Sequence, residues 1–201
     1  MTLDPATAAP PDVYAALTGV VNPRPIAWVL TKSPAGVLNL APFSFFNVFG
    51  SNPPVLVFSP TLTRSGKEKD TLVNVRAAGE CVVHVATAGL REQCNLSSKE
   101  LPPGESEVEL VGLSTVPSMK VAVPRLAESP VALECKLRQV VEVGDGPISG
   151  RLVVCEVVML HVADAVLGDD GRPDPAKLQT VGRMGGDFWV NTTDLFKLPR
   201  P

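Results

Sequence analysis

Two long apolar runs, Ala132–Val143 and Leu152–Val162, stand on either side of the turn Gly144-Asp-Gly-Pro147. This pairing constrains the fold more than any other feature of the chain, because strands of that length joined so tightly lie antiparallel. Shorter runs rich in Val, Leu and Ile come before them, each bounded by Pro, Gly or Asn: Ile26–Thr31, Leu38–Ala41, Val55–Phe58 and Cys81–Ala86. Such punctuation marks strands rather than long helices. Between Lys32 and Leu38, Ser33-Pro-Ala-Gly36 reads as a hairpin turn, with Pro setting one dihedral and Gly free to take positive φ. Long strands linked by short turns predict a mainly β protein with a few helices, built as a closed or nearly closed antiparallel barrel.

Helical signals are fewer. They cover Pro11–Thr18 before Gly19, Asp70–Ala78 before Gly79, and Leu90–Ser98. The second is the clearest, with Asp70 or Thr71 expected as N-cap and Gly79 as the stop. From Pro102 to Pro130 five prolines interrupt the chain, at 102, 103, 117, 124 and 130, which predicts a long irregular excursion around at most a short helix near Glu105–Val111. A loop of this length covers a ligand site, grips another subunit, or packs on the surface.

With 201 residues and 45% hydrophobic content, the chain can bury one good core, and one domain spanning residues 1–201 is expected. A net charge of −3, with Lys and Arg scattered rather than bunched, argues against nucleic acid as a partner. The first nineteen residues lack the pattern of a secretory signal, and Glu156, His161 and Asp164 interrupt the longest apolar stretch. No membrane association and a cytoplasmic location are therefore expected. Cys81, Cys94, Cys135 and Cys155 form no CxxC pair and no characteristic metal-ligand spacing occurs, so no metal is assigned. Cys81, Cys135 and Cys155 lie in strand-like runs and are expected to be buried, whereas Cys94 sits in a more polar stretch and is expected to be partly exposed. His84 and His161 adjoin no triad motif. Each reads as a structural histidine, with His84 facing a substrate as the alternative.

Neither GxGxxG nor GxxxxGK[ST] is present, so a phosphate has to be held in another way. The stretch Ser59-Pro-Thr-Leu-Thr-Arg-Ser-Gly-Lys-Glu-Lys-Asp-Thr71 offers one. Arg64 carries a bidentate fork, Lys67 and Lys69 carry point charges, Ser65 and Thr71 carry hydroxyls, and the helix starting near Asp70 adds unpaired N–H groups. An ordinary solvated loop before a capped helix is the competing reading. Upstream, Asn39-Leu-Ala-Pro-Phe-Ser-Phe-Phe-Asn47 combines small residues with aromatics. Ala41, Pro42 and Ser44 permit close approach of a planar ligand to an extended backbone, and Phe45, Phe46 and Phe49 are expected to wall the pocket. Together the two stretches suit a planar ligand with a phosphate tail.

Arg24-Pro-Ile-Ala-Trp-Val29, Asn39–Asn47, Lys69-Asp-Thr-Leu-Val-Asn74 and Val181-Gly-Arg-Met-Gly-Gly186, in that order, resemble the flavin reductase-like family of FMN-binding split-barrel proteins, including flavoredoxins. Cys94-Asn-Leu-Ser-Ser98, Leu101-Pro-Pro-Gly104 and Glu128–Cys135 resemble one of its subgroups, and the likeness runs over about residues 12–200. It implies a Greek-key split β-barrel, a homodimer, and FMN held non-covalently near the subunit interface. By that resemblance the ring lies along Ala41, Pro42, Phe43, Ser44, Phe45, Phe46 and Asn47, and Asn39 is among the cofactor-binding residues. Arg64, Lys69, Asp70 and Thr71 hold the phosphate end, Ser59 is also cofactor-binding, and Asn95 and Ser98 lie near the ring or the interface. Many relatives show a Tyr after Arg-Leu-Gly-Gly; this chain has Phe188-Trp189, which keep aromatic faces for stacking.

The reading that follows is an NAD(P)H-dependent flavin oxidoreductase: FMN takes a hydride from NADH or NADPH and passes electrons to free flavin, a redox partner protein or another acceptor. The flavin carries that chemistry, so no acid–base dyad is required and Ser44 tunes N5. Two alternatives remain open on sequence alone. One is a flavoredoxin-type FMN electron carrier served by a protein partner, and the other is a non-catalytic barrel that serves as a binding module.

Overall fold

The computed structural model describes residues 1–199; Arg200 and Pro201, the end of the expected single domain, lie outside the described residues. Its elements in chain order are α1 (Pro10–Val20), β1 (Arg24–Pro25), β2 (Ala27–Lys32), β3 (Leu38–Phe43), β4 (Phe46–Ser51), β5 (Pro54–Phe58), α2 (Asp70–Ala78), β6 (Glu80–Val85), α3 (Arg91–Leu96), α4 (Glu107–Leu110), β7 (Thr115–Val116), β8 (Arg125–Leu126), β9 (Val131–Val143), β10 (Gly150–Val162), α5 (Pro175–Leu178), β11 (Val181–Arg183) and β12 (Trp189–Asn191). The predicted strands all form, with ends shifted by a residue or a few. Gly36, at φ +87°, closes the β2–β3 turn by donating its N–H to the Ser33 carbonyl at 2.9 Å.

Seven strands make one antiparallel sheet in the order β3-β2-β6-β9-β10-β5-β4. β3 and β4 stand at its opposite edges, yet only Ser44 and Phe45 separate them in the chain. A link that short forces the sheet to curl until its two edges meet, which makes a barrel whose last seam has no ladder.

β2 shows why the barrel is stable. From Ala27 to Leu30 it is apolar on both faces: Ala27 and Val29 belong to one core, and Trp28 and Leu30, with Ile26 just before the strand, to another. The core holding Ala27 also contains Phe43, Leu56, Phe58, Cys81, Val83, Cys135, Val153 and Cys155 from five other strands, together with Leu72 and Val75 of α2, and it fills the barrel. The other core is sandwiched between the barrel wall and Cys94, Val108, Val123, Leu126 and Val181. Each fully buried Leu or Val here contributes about 1.5–3 kcal/mol.

The excursion from 102 to 130 lies mainly on this outer wall, and side chains of the wall hold its backbone. Glu134 accepts from the amides of Met119 (2.8 Å) and Lys120 (2.6 Å), Glu80 accepts from Ala122 (2.5 Å), and His84 Nε2 accepts from Leu126 (2.9 Å). The expectations for Cys94 and for the cap of α2 are corrected, whereas His84 is structural, as expected. Cys94 is fully buried rather than partly exposed, because α3 turns it onto the outer-wall core. His84 is also fully buried, with both ring nitrogens occupied by protein partners, and faces no open cavity. The cap of α2 falls on Lys69 in extended conformation, with no side-chain cap bond, which places Asp70 in the first turn; Gly79 at φ +70° ends the helix as expected. Among the described residues no helix is long and apolar enough to cross a membrane.

Candidate functional site

The site forms where the barrel fails to close. Arg24 organises it from a buried position beside the seam. Its Nη1 donates to the carbonyls of Thr18 (2.7 Å) and Val21 (3.0 Å), its Nη2 to the Met184 carbonyl (3.0 Å), and its Nε to Ser44 Oγ (3.4 Å). One guanidinium thereby ties the end of α1, the seam and the loop after β11. That loop approaches α1 closely: a Cβ on Gly185 would lie 3.1 Å from the Gly19 Cα, so a larger residue there would push the segments apart.

α3 supplies the facing wall. The Trp28 indole donates to Ser97 Oγ at 2.8 Å, and Ser97 Oγ in turn donates to the Cys94 carbonyl at 2.9 Å. With Cys94 and Ser97 held inward, Asn95 and Ser98 are left on the exposed side. Burial pushes the Cys94 thiol up to about 12, so it is held as an inert thiol.

These walls enclose a cavity of about 320 Å³ lined by Pro42 and Ser44 of the seam, Asn95 of α3 and Ser98 just after it, Ile26, Tyr14, and Arg183, Asp187 and Trp189. An outer cavity of about 530 Å³ shares Asn95, Arg183, Asp187 and Trp189 with it and adds Arg91, Glu92 and Phe188. Arg183 lies 5.2 Å from the Trp189 ring centroid and donates to the Gly186 carbonyl at 2.8 Å, so a guanidinium held over an aromatic face lines both cavities.

The other expected residues fall around this centre in different ways. Phe43 is buried against Phe58, and the Lys69 ammonium sits 5.6 Å from its ring centroid, which brings the basic stretch onto the ring stretch. Burial lowers the Lys69 pKa, and Glu100 opposes that shift. Arg64 is exposed on the loop before α2. Asn39 and Asp70 line a separate cavity of about 280 Å³ together with Asn74 and the 101–105 loop. The Asn39 amide donates to Thr71 Oγ1 (2.9 Å) and Thr31 Oγ1 (3.3 Å), so Thr71 is buried in a polar cluster. Ser59 is buried too, its Oγ accepting from the Arg151 amide at 3.2 Å. Ala41 is half-buried, and Asn47 is exposed with Oδ1 accepting from the Val48 amide.

None of the three phenylalanines expected to wall the pocket lines the inner cavity. Phe45 packs edge-on to Tyr14, Phe46 packs onto the barrel core, and Phe49 is 70% exposed, because Phe46–Ser51 is a strand whose faces alternate. Tyr14, Arg24, Arg183 and Asp187 are not among the expected site residues, whereas Trp189, expected to keep an aromatic face, lines the cavity. The Arg24–Val29 and Val181–Gly186 stretches mark three of those neighbourhoods without indicating that α1 and β11 converge.

A model of the family described as "Flavin reductase like domain" matches residues 21–175. The chain belongs to the flavin reductase-like family. A relative from Halalkalibacterium halodurans, named "Uncharacterized protein BH2278", is 43% identical over 203 residues, covering 100% of this chain and 97% of that protein. Among solved structures, nitrilotriacetate monooxygenase component B from Bacillus cereus is similar with a TM-score of 0.93 at 33% identity, over 98% of each chain. The 2-nitrobenzoate 2-nitroreductase NbaA of Pseudomonas fluorescens is similar with a TM-score of 0.87 at 30% identity, over 100% of this chain and 96% of that one. The seamed barrel of this flavin reductase-like chain is accordingly the split barrel.

Proposed function

We propose that the protein is an NAD(P)H-dependent flavin oxidoreductase that binds FMN non-covalently beside the seam. The observation that carries this reading is the inner cavity, where Pro42 and Ser44 meet Asn95 and Ser98 across a polar gap flanked by the basic approach to α2. The donor set fits a flavin. Serine hydroxyls and an asparagine amide both donate and accept, as a ring edge of alternating N–H and C=O groups requires. Arg64, Lys69 and the uncapped first amides of α2 fit a phosphate. FMN, when bound, supplies the two-electron chemistry. Ser44 presents a hydrogen bond to the ring, Asn95 and Ser98 orient it, Ile26 and Trp189 exclude water, and Arg183 borders the route from the outer cavity. Similarity to a monooxygenase component and to a nitroreductase supports a redox role for this chain as well.

A homodimer belongs to the same proposal. Tyr14, Leu17 and Val20 of α1, with Phe45, Val48 and Phe49 at the seam and on β4, are exposed apolar residues next to the cavity, and the Tyr14–Phe45 contact joins the two groups. The chemistry proposed also suits a cytoplasmic location, where reduced nicotinamides are present.

A second reading, an FMN electron carrier fed by a protein donor, is favoured by the open mouth of the outer cavity, where Phe188 is 77% exposed. One experiment addresses both. The purified protein is loaded with FMN and mixed anaerobically with NADH or NADPH while the visible spectrum is followed. Rapid bleaching supports the oxidoreductase, persistent yellow colour supports the carrier, and failure to take up FMN rejects both.

A further inference from the structure

Arg24 is 6% exposed, and none of the ion pairs among the described residues includes it. Its four acceptors, the carbonyls of Thr18, Val21 and Met184 and the hydroxyl of Ser44, are all neutral. Neutral oxygens orient a positive charge without cancelling it, and a charge in such surroundings is weakly screened. Burial pulls the Arg24 pKa down; Tyr14 opposes that shift, and the neighbouring cation Arg183 adds to it. The uncompensated charge stands one hydroxyl away from the inner cavity, because Ser44 lines that cavity.

A guanidinium has no acceptor atom, so its Nε–H occupies a lone pair of Ser44 Oγ and the serine proton is left for another partner. We propose that Arg24 is a positioning residue that makes the inner cavity favour the reduced form of the flavin, acting through Ser44 and through its own uncancelled charge. This rests on the FMN reading above. The charge balance gives the reason. When a reduced nicotinamide gives up hydride, its C4–H bond breaks and a bond to flavin N5 forms. Two electrons and one proton move together, the nicotinamide becomes a cationic pyridinium, and the flavin ring gains one negative charge until a second proton arrives. A fixed cation beside the ring stabilises that product more than the neutral oxidised ring.

The test compares the affinities of the apoprotein for oxidised FMN and for dithionite-reduced FMN, measured anaerobically by ultrafiltration, in the wild type, Arg24→Gln and Arg24→Lys. The wild type is expected to bind reduced FMN more tightly. Arg24→Gln lowers that preference about tenfold, equivalent to a fall of about 30 mV in the two-electron potential, and Arg24→Lys retains most of it by keeping the charge. If Arg24 is merely structural, Arg24→Gln weakens both forms alike and the ratio stays constant, which overturns the proposal. Should Arg24→Gln fail to fold, the wild-type ratio decides alone: reduced FMN bound no more tightly than oxidised FMN overturns it. A wild type that binds neither form ends the FMN reading and this proposal together, whereas binding of both forms with an unmoved ratio ends only the role of Arg24.

Discussion

His84 donates from Nδ1 to the Trp28 carbonyl at 3.3 Å and accepts the Leu126 amide on Nε2, so the folded protein requires its neutral form. Burial drives its pKa from 6.5 down to about 3. In the unfolded chain the ring takes up a proton below about 6.5, and in the folded protein not until about 3. Between those values the unfolded state binds more protons, so stability rises with pH across that window, by about 1.4 kcal/mol for each unit. Urea unfolding of the wild type and His84→Gln at pH 4, 5 and 6 checks this. The variant is expected to lose about 1.4 kcal/mol per unit of slope, and equal slopes would refute the assignment. That His84 is structural was one of two readings open in the sequence. It is the one put first, but its partner Leu126 lies far along the chain in a stretch without regular periodicity, so nothing local identified what holds the ring. Cys94 misled for a related reason: polar neighbours on a short helix describe its outer face, and Cys94 is on the inner one.

The long β9–β10 hairpin is legible from its turn and its apolar runs because both signals are local. β4 is not. Its aromatics look like the wall of a pocket, and only the two-residue link to β3 reveals an edge strand. The same limit applies to α2, where Asp70 and Thr71 have the composition of a cap but Thr71 is drawn inward by Asn39. The start of α2 nevertheless remains the part of the chain best suited to a phosphate. Replacing Arg64 or Lys69 by Ala is expected to weaken FMN binding by about 1.5–3 kcal/mol for each charge-assisted hydrogen bond removed, read by fluorescence titration. Unchanged affinity in both variants removes the phosphate assignment.

For the molecule as a whole, the sequence resemblance pointed to the barrel and to the two stretches proposed here to bind flavin, yet the convergence of α1, the seam, α3 and the β11–β12 loop on one cavity is a property of the closed sheet. No window of sequence contains it. The apolar surface of α1 and β4 is expected to pair two copies. Sedimentation should show a dimer for the wild type and a monomer for Leu17→Asp combined with Val48→Asp, while the circular dichroism spectrum stays unchanged. A monomeric wild type, or a double variant that still pairs, would contradict that surface assignment.

The link through Ser44 and Phe45 also fixes a dimension. Three residue steps reach at most about 11 Å, so Phe43 and Phe46 act as two ends of an inextensible tether, and this rim of the cavity keeps its gauge whatever enters. The opposite rim is held by hydrogen bonds, which can lengthen, from Arg24 to the Met184 carbonyl and from the Met184 amide to the Phe188 carbonyl. Arg183, Asp187 and Trp189 sit around an irregular bend between two three-residue strands. Accommodation of guests of different thickness therefore falls to that side, while the seam serves as the fixed jaw.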